Sequence, residues 1–264
     1  MKYSYEQLAQ MIDHSLLHPT LTDQELEDGC RLAAQYQAAS VCIKPYAVKR
    51  AAELLRGSGV RVGAVIGFPH GDSKTESKRY ETQLACQDGA VEIDMVINIG
   101  KALSGDWDYV ERDIQAVCDE AHQCGAKVKV IFENDYLAKG GAGLNSDELK
   151  QKLCQVSERA GADWVKTSTG YGFVKQPDGN YNYRGATEHD LALMRASVSA
   201  KVQVKAAGGV RDLDGLIKVR DLGATRCGAT ATAAMLDEYR RREAAEKAGK
   251  PAEAKTGIVG AGGY

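Results

Sequence analysis

Two lysines, Lys166 in VKTSTG and Lys205 in VKAAGG, each interrupt a run that otherwise reads as a buried β-strand. A lysine is seldom fully buried without a partner, because taking its charge out of water is costly. In 201–207 the odd positions share one face, so Lys205 lies opposite Val202 and Val204. In 163–168 Lys166 and Ser168 share a face that excludes Val165. Two ammonium groups held close in a poorly solvated site disfavour each other's charge. One pKa then falls, and the neutral amine is a nucleophile for carbonyl compounds. The protonated imine so formed is an electron sink for an adjacent carbanion, which is the basis of metal-independent aldol chemistry. The other polar residues inside strand-like runs are Asp94 in EIDMVI, and Lys129 and Glu133 in KVKVIFE. A second arrangement stays open at this point: one lysine salt-bridged to Asp94, the other exposed at a strand end.

The elements that must hold these residues are legible in the spacing of apolar and turn residues. β-rich runs at 12–17, 40–44, 61–68, 91–97, 127–133, 163–168, 201–206 and 225–228 alternate with amphipathic stretches. These lie at 23–37, 47–58, 74–88, 109–124, 147–160, 188–197, 213–222 and 231–248. Ser146, followed by Glu148, reads as a helix N-cap, and Gly89, Gly125, Gly161 and Gly223 read as left-handed helix ends. Eight such units imply right-handed βαβ connections and a parallel sheet. No G-x-G-x-x-G follows the first strand, which speaks against an open dinucleotide-binding sheet. The expected fold is α/β, a closed (β/α)8 TIM barrel. It forms a single domain over 1–248, with a short N-terminal helix and a flexible C-terminal tail over 249–264. Chemistry in such barrels sits at the C-terminal ends of the strands.

With 264 residues the chain is long enough for one such barrel. A formal charge of -2 leaves no broad basic footprint for nucleic acid or an anionic membrane, so neither is an expected partner. Any bound anion must be held by local geometry. Seven cysteines without C-x-x-C or zinc-type spacing read as reduced thiols. No signal-like or membrane-spanning apolar run is visible, and a cytoplasmic location is the expectation.

The glycine-rich runs AAGGVRD (206–212) and GATRCGATATAAML (223–236) follow the seventh strand and enclose the eighth. Loops at these places often bind phosphate through backbone N–H groups and a helix N-terminus. Gly208, Gly209 and the Gly228-Ala229-Thr230 turn are therefore candidates, with ligand-free tight turns as the other reading. His14 and His18 are four apart, but Pro19 spoils a helix there and no Cys/His cluster accompanies them. No metal site and no cofactor are expected. Cys42 lies in a strand-like run without a histidine motif nearby, and is at most an accessory candidate.

Taken in order, IDHSLLHPT, VEIDMVINIGKALSGDW, KVIFE, VKTSTGYG and VKAAGGVRD resemble the deoxyribose-phosphate aldolases, a family of class I (Schiff-base) aldolases. The similarity is collinear from about Ile12 to Leu236. It implies a (β/α)8 barrel that reversibly joins acetaldehyde and glyceraldehyde 3-phosphate into 2-deoxyribose 5-phosphate, in deoxyribonucleotide catabolism. By the same resemblance Lys166 is the Schiff-base lysine and Lys205 the lysine that lowers its pKa. Asp94 is the acid/base carboxylate, supported by Asp13 and Lys129. Gly170, Gly208, Gly209, Gly228 and Thr230 carry the phosphate contacts. Ala229 and Ala231 stand where adjacent small hydroxyl residues are usual, Tyr171 where a lysine can stand, and Lys44 where Asn or His is more frequent. A C-terminal tyrosine, here Tyr264, would fold over the pocket as an accessory group; a disordered end is the other expectation. A homodimer is left open. So are a related Schiff-base aldolase for another small phosphorylated sugar and a non-catalytic sugar-phosphate-binding barrel.

Overall fold

The structure, a computed structural model, describes residues 1–249. Eight parallel strands close on themselves: β1 (Ile12–Leu16), β2 (Ser40–Ile43), β3 (Arg61–Ile66), β4 (Glu92–Val96), β5 (Lys127–Ile131), β6 (Trp164–Lys166), β9 (Gln203–Ala207) and β10 (Ala224–Ala229). Neighbours follow chain order, and β10 pairs back onto β1. Between β6 and β9 a small antiparallel hairpin is inserted, β7 (Val174–Lys175) and β8 (Tyr181–Asn182). The barrel anticipated from eight strand–helix units is thus present.

Its helices begin and end where local chemistry dictates. Thr22 caps the helix Asp23–Tyr36 in a reciprocal capping box with Glu25. At the helix Ser146–Arg159 the cap is one residue earlier than anticipated. Asn145, in extended conformation, accepts from the backbone N–H groups of Asp147 and Glu148, and Ser146 is the first helical residue. Gly89, Gly125, Gly161 and Gly223 all have positive φ and stop helices just ahead of the next strand. The hairpin and the short helix Ile99–Leu103 are not visible in the sequence pattern. Both are too short to establish a hydrophobic period.

Alternation sorts each strand into two faces. Val128 and Val130 of β5, Val165 of β6 and Val204 of β9 are fully buried against the helical layer. Each such side chain contributes about 1.5–3 kcal/mol. The opposite faces fill the barrel in layers drawn from alternate strands. Register places Ser40, Glu92, Trp164 and Arg226 in the lowest layer. Asp13, Gly63, Lys129 and Lys205 lie above them, and Cys42, Asp94, Lys166 and Gly228 form the layer toward the strand ends. Where barrels of this kind usually stack branched aliphatics, this one stacks charges.

Candidate active site

Asp94 is the hub of that charged interior. Its Oδ2 accepts from Lys166 Nζ and from Lys205 Nζ, each at 2.7 Å, and its Oδ1 accepts from Lys129 Nζ at 2.8 Å. Lys205 Nζ also lies 2.6 Å from Asp13 Oδ2, and Lys129 Nζ lies 2.6 Å from Glu92 Oε2. Arg226 closes the network by donating to Asp13 and, at 2.5 Å, to Glu92 Oε1. All of these side chains are buried. The earlier arrangement with one lysine paired and the other exposed does not occur. Both donate to the same carboxylate oxygen, and neither reaches the rim.

The charges do not cancel. Lys129, Lys166, Lys205 and Arg226 are four buried cations facing three buried carboxylates, Asp13, Glu92 and Asp94, and the exposed Arg61 adds a further cation 3.3 Å from Glu92. One proton must be surplus in a site with little water to screen it. Burial would raise Asp13, but Lys129, Lys205 and Arg226 outweigh it and hold its carboxyl far below the usual range. Asp94 is likewise held low against burial by Lys129, Lys166 and Lys205. Burial acts on Lys205 too, yet Asp13 and Asp94 raise it well above an ordinary lysine. Lys129 and Arg226 are also raised, by their carboxylate neighbours. Lys166 alone among the four is lowered, first by burial and then by Lys205, with Asp94 opposing. It has one carboxylate partner where Lys205 has two and Lys129 three. The surplus proton is therefore most easily lost from Lys166.

The glycine loops meet in a separate cavity of about 300 Å³, lined by Gly208, Gly209, Gly228 and Thr230 together with Tyr183 and Arg211. Gly208 and Gly209 both have φ of +83°, which side-chain-bearing residues rarely adopt. The helix Thr232–Lys247 starts beside this cavity with no side-chain cap on its first N–H groups. That leaves a local site for an anion. Gly170, just past β6, has positive φ but is not among the lining residues. Ala229 and Ala231 line the cavity without offering hydroxyls. Lys44 is occupied elsewhere, donating to the His18 carbonyl at 3.0 Å.

The remaining candidates separate cleanly. Cys42 Sγ lies 3.8 Å from Asp94 Oδ2, but burial pushes its thiol up to about 11, so it is no thiolate near neutrality. His14 pairs with Thr232 and His18 with Thr20, so the two histidines do not converge. Among the described residues, no group of three or more His, Cys, Asp or Glu is arranged to hold a metal ion, and no helix is long and apolar enough to cross a membrane. Tyr264 and residues 250–264 of the expected tail lie outside the described residues.

Sequence reasoning missed Glu92 and Arg226. Glu92 is two residues before Asp94 and so on the same strand face, a signal that was available. Arg226 lies in a run of only four residues, too short for its inward face to stand out. It also missed how Glu133 acts. Its carboxylate accepts from the Thr169 N–H at 3.1 Å and from the Thr169 hydroxyl, fastening the loop beyond Lys166.

A sequence model described as DeoC/LacD family aldolase matches residues 7–239. The deoxyribose-phosphate aldolase of Rhodopirellula baltica is 50% identical over 240 residues, covering 91% of this chain and 92% of that protein. Among solved structures, a putative deoxyribose-phosphate aldolase from Coccidioides immitis superposes with a TM-score of 0.79 at 34% identity, over 90% of this chain and 87% of that one. The deoxyribose phosphate aldolase of Aeropyrum pernix, described as a unique tetramer, gives 0.76 at 30% identity, over 90% and 92%.

Proposed function

We propose that this chain, which belongs to the DeoC/LacD aldolase family, is a 2-deoxy-D-ribose-5-phosphate aldolase, a lyase of deoxyribonucleotide catabolism that works through an imine on Lys166. One observation carries the mechanism: Lys166 and Lys205 share Asp94 Oδ2, and of the two only Lys166 is shifted toward the neutral amine.

In the cleavage direction the Lys166 lone pair attacks C1 of open-chain 2-deoxyribose 5-phosphate. Water leaves and an iminium forms. Removal of the C3 hydroxyl proton breaks the C2–C3 bond, and the bonding electrons move into the iminium to give an enamine, releasing D-glyceraldehyde 3-phosphate. Protonation at C2 and hydrolysis then release acetaldehyde and restore the amine. Asp94 moves these protons through a water, and a protonated Lys205 holds Asp94 ionised between transfers. Asp13 and Lys129 fix the two ends of that relay. Lys129 bonds Glu92 and Asp94 at once, so it stays charged and positions Asp94. The substrate phosphate is assigned to the cavity of Gly208, Gly209, Gly228 and Thr230; Gly170 is a phosphate contact by family resemblance alone. Cys42 is left outside the chemistry because its thiol stays protonated. The proposed setting is cytoplasmic and the proposed assembly a homodimer, to be read by light scattering against the tetramer described for the Aeropyrum pernix protein.

The test is reductive trapping. Incubation with acetaldehyde and borohydride should add one ethyl group, mapped to Lys166 by peptide mass. An adduct scattered over surface lysines, or none, rejects the imine.

A further inference from the structure

The hairpin between β6 and the helix Glu188–Ser197 does more than connect them. Its strands pair Val174 with Asn182 and Lys175 with Tyr181, and a turn at Gly179 (φ +87°) joins them. Both ends are tied down. Tyr136 OH donates to the Phe173 carbonyl at 3.4 Å. At the far end Asp135 accepts from the backbone N–H groups of Arg184 and Gly185, at 2.7 and 2.9 Å. The last residue before that anchor is Tyr183. It is only 4% exposed, although its neighbours in the hairpin are at the surface. Phe173 packs against its ring edge-to-face, with centroids 5.3 Å apart.

The Tyr183 ring borders the cavity formed by the glycine loops. It also bears on the backbone of that cavity. A methyl group placed on Gly208 would lie 3.1 Å from Tyr183 Cε2 and 3.0 Å from Gly185 Cα, so ring, hairpin end and Gly208 are in contact with no spare room. The Gly208 carbonyl is held by the Ala186 N–H at 3.1 Å, which leaves the other side of the Gly208-Gly209 turn facing the cavity.

We propose that Tyr183 is a specificity-determining residue for the phosphate end of the substrate. Its ring, delivered by an anchored hairpin, walls the cavity and holds the Gly208-Gly209 backbone in the conformation that receives the phosphate. This rests on the assignment of that cavity to the substrate phosphate. The hairpin thereby ties acceptor choice to a surface element that contributes nothing to the lysine–aspartate network.

The test compares kcat/KM for 2-deoxyribose 5-phosphate with kcat/KM for unphosphorylated 2-deoxyribose in the full chain. Tyr183→Ala opens the wall and Tyr183→Trp pushes into the cavity. Each is expected to lower the ratio at least about tenfold, through KM for the phosphate ester. Trp adds bulk without creating a hole, so it keeps the test available if the Ala variant fails to fold. A ratio unchanged in the folded variants, whether both activities fall together or neither does, overturns the proposal. If the unaltered protein cleaves neither sugar, the functional reading fails instead. Calorimetric binding of inorganic phosphate then decides: weaker binding in the variants supports the role of Tyr183, and equal binding ends it.

Discussion

Lys166 and Lys205 stand opposite each other on adjacent parallel strands and donate to one oxygen of Asp94, so their ammonium nitrogens are at most about 5.4 Å apart. At an effective dielectric of about 20, that separation costs about 3 kcal/mol when both are charged. A second carboxylate, Asp13, relieves Lys205 and not Lys166, which makes the pair unequal.

Lys166→Leu should reduce aldol cleavage to background and abolish borohydride trapping, because the other two lysines around Asp94, Lys129 and Lys205, are both held as cations. The remaining cations and carboxylates then balance. The variant should unfold within a few degrees of the parent, as read by circular dichroism. Retained trapping at another single lysine would reassign the nucleophile.

Lys205→Leu removes the repulsion and leaves Asp94 paired with Lys166 and Lys129 alone. The Lys166 pKa should rise, so trapping with acetaldehyde should weaken near neutrality and recover as pH increases. Leaving Asp13 without its 2.6 Å partner should also cost about 3–5 kcal/mol of stability, measured by urea unfolding. Full trapping at neutral pH with an unshifted profile would remove Lys205 from the mechanism.

Much of this was legible before any coordinates. Strand alternation set Lys166 and Lys205 on faces apart from the neighbouring valines, which permits an inward position without fixing it, and the glycine runs marked the cavity, because both follow from local rules of period and turn. What stayed hidden depends on closure. Arg226 meets Glu92 across the barrel, at a sequence separation of 134, and nothing in either neighbourhood announces that partner. Tyr183 reads as one aromatic in a polar loop. Its buried position goes with the anchoring of Arg184 and Gly185 by Asp135 and with the packing of Phe173, contacts that only the folded chain makes. The Ser146 cap was off by one residue because Asn145 and Ser146 are both good caps and the backbone decides between them.

Asp94→Asn should slow turnover by about 10²–10⁴-fold, the usual worth of a positioned acid–base group. Exchange of the acetaldehyde methyl protons with deuterated water, followed by NMR, should fall by the same factor. Exchange at the parental rate would move the acid–base role to another residue.

Glu133 gives a pH signature of its own. Burial pushes its carboxyl up to about 7 against an ordinary 4.5, with the Thr169 bonds opposing. The folded state thus keeps a proton that the unfolded chain has lost. Its contribution is intact below pH 4.5 and is lost as pH rises toward 7, about 3 kcal/mol in all. His14, held near 4 by burial, pulls the other way across the same range, so the parent curve alone does not isolate Glu133. The difference between the parent and Glu133→Gln does. Urea stabilities should diverge in favour of the Gln variant between pH 4.5 and 7; parallel curves would mean that Glu133 is ionised throughout.

Arg226→Met distinguishes pairwise repulsion from the charge count of the whole cluster. Arg226 makes no contact with Lys166; it bonds Asp13 and Glu92 one layer and two layers below. Without it, the buried Lys129, Lys166 and Lys205 face the three carboxylates, and these buried groups balance only if Lys166 keeps its proton, with Arg61 still screening Glu92 from the solvent side. Asp13 and Glu92, each short of a cation, also lean more heavily on Lys205 and Lys129, which weakens the hold of those lysines on Asp94 and frees it for Lys166. The trapping profile should therefore move to higher pH, in the same direction as for Lys205→Leu and by a smaller amount, since the charge removed is farther from the amine. The variant should also lose about 3–5 kcal/mol of stability. If it is destabilised while its profile stays where it was, the amine is set by Lys205 and burial alone, and the count of four cations to three carboxylates has no bearing on the chemistry.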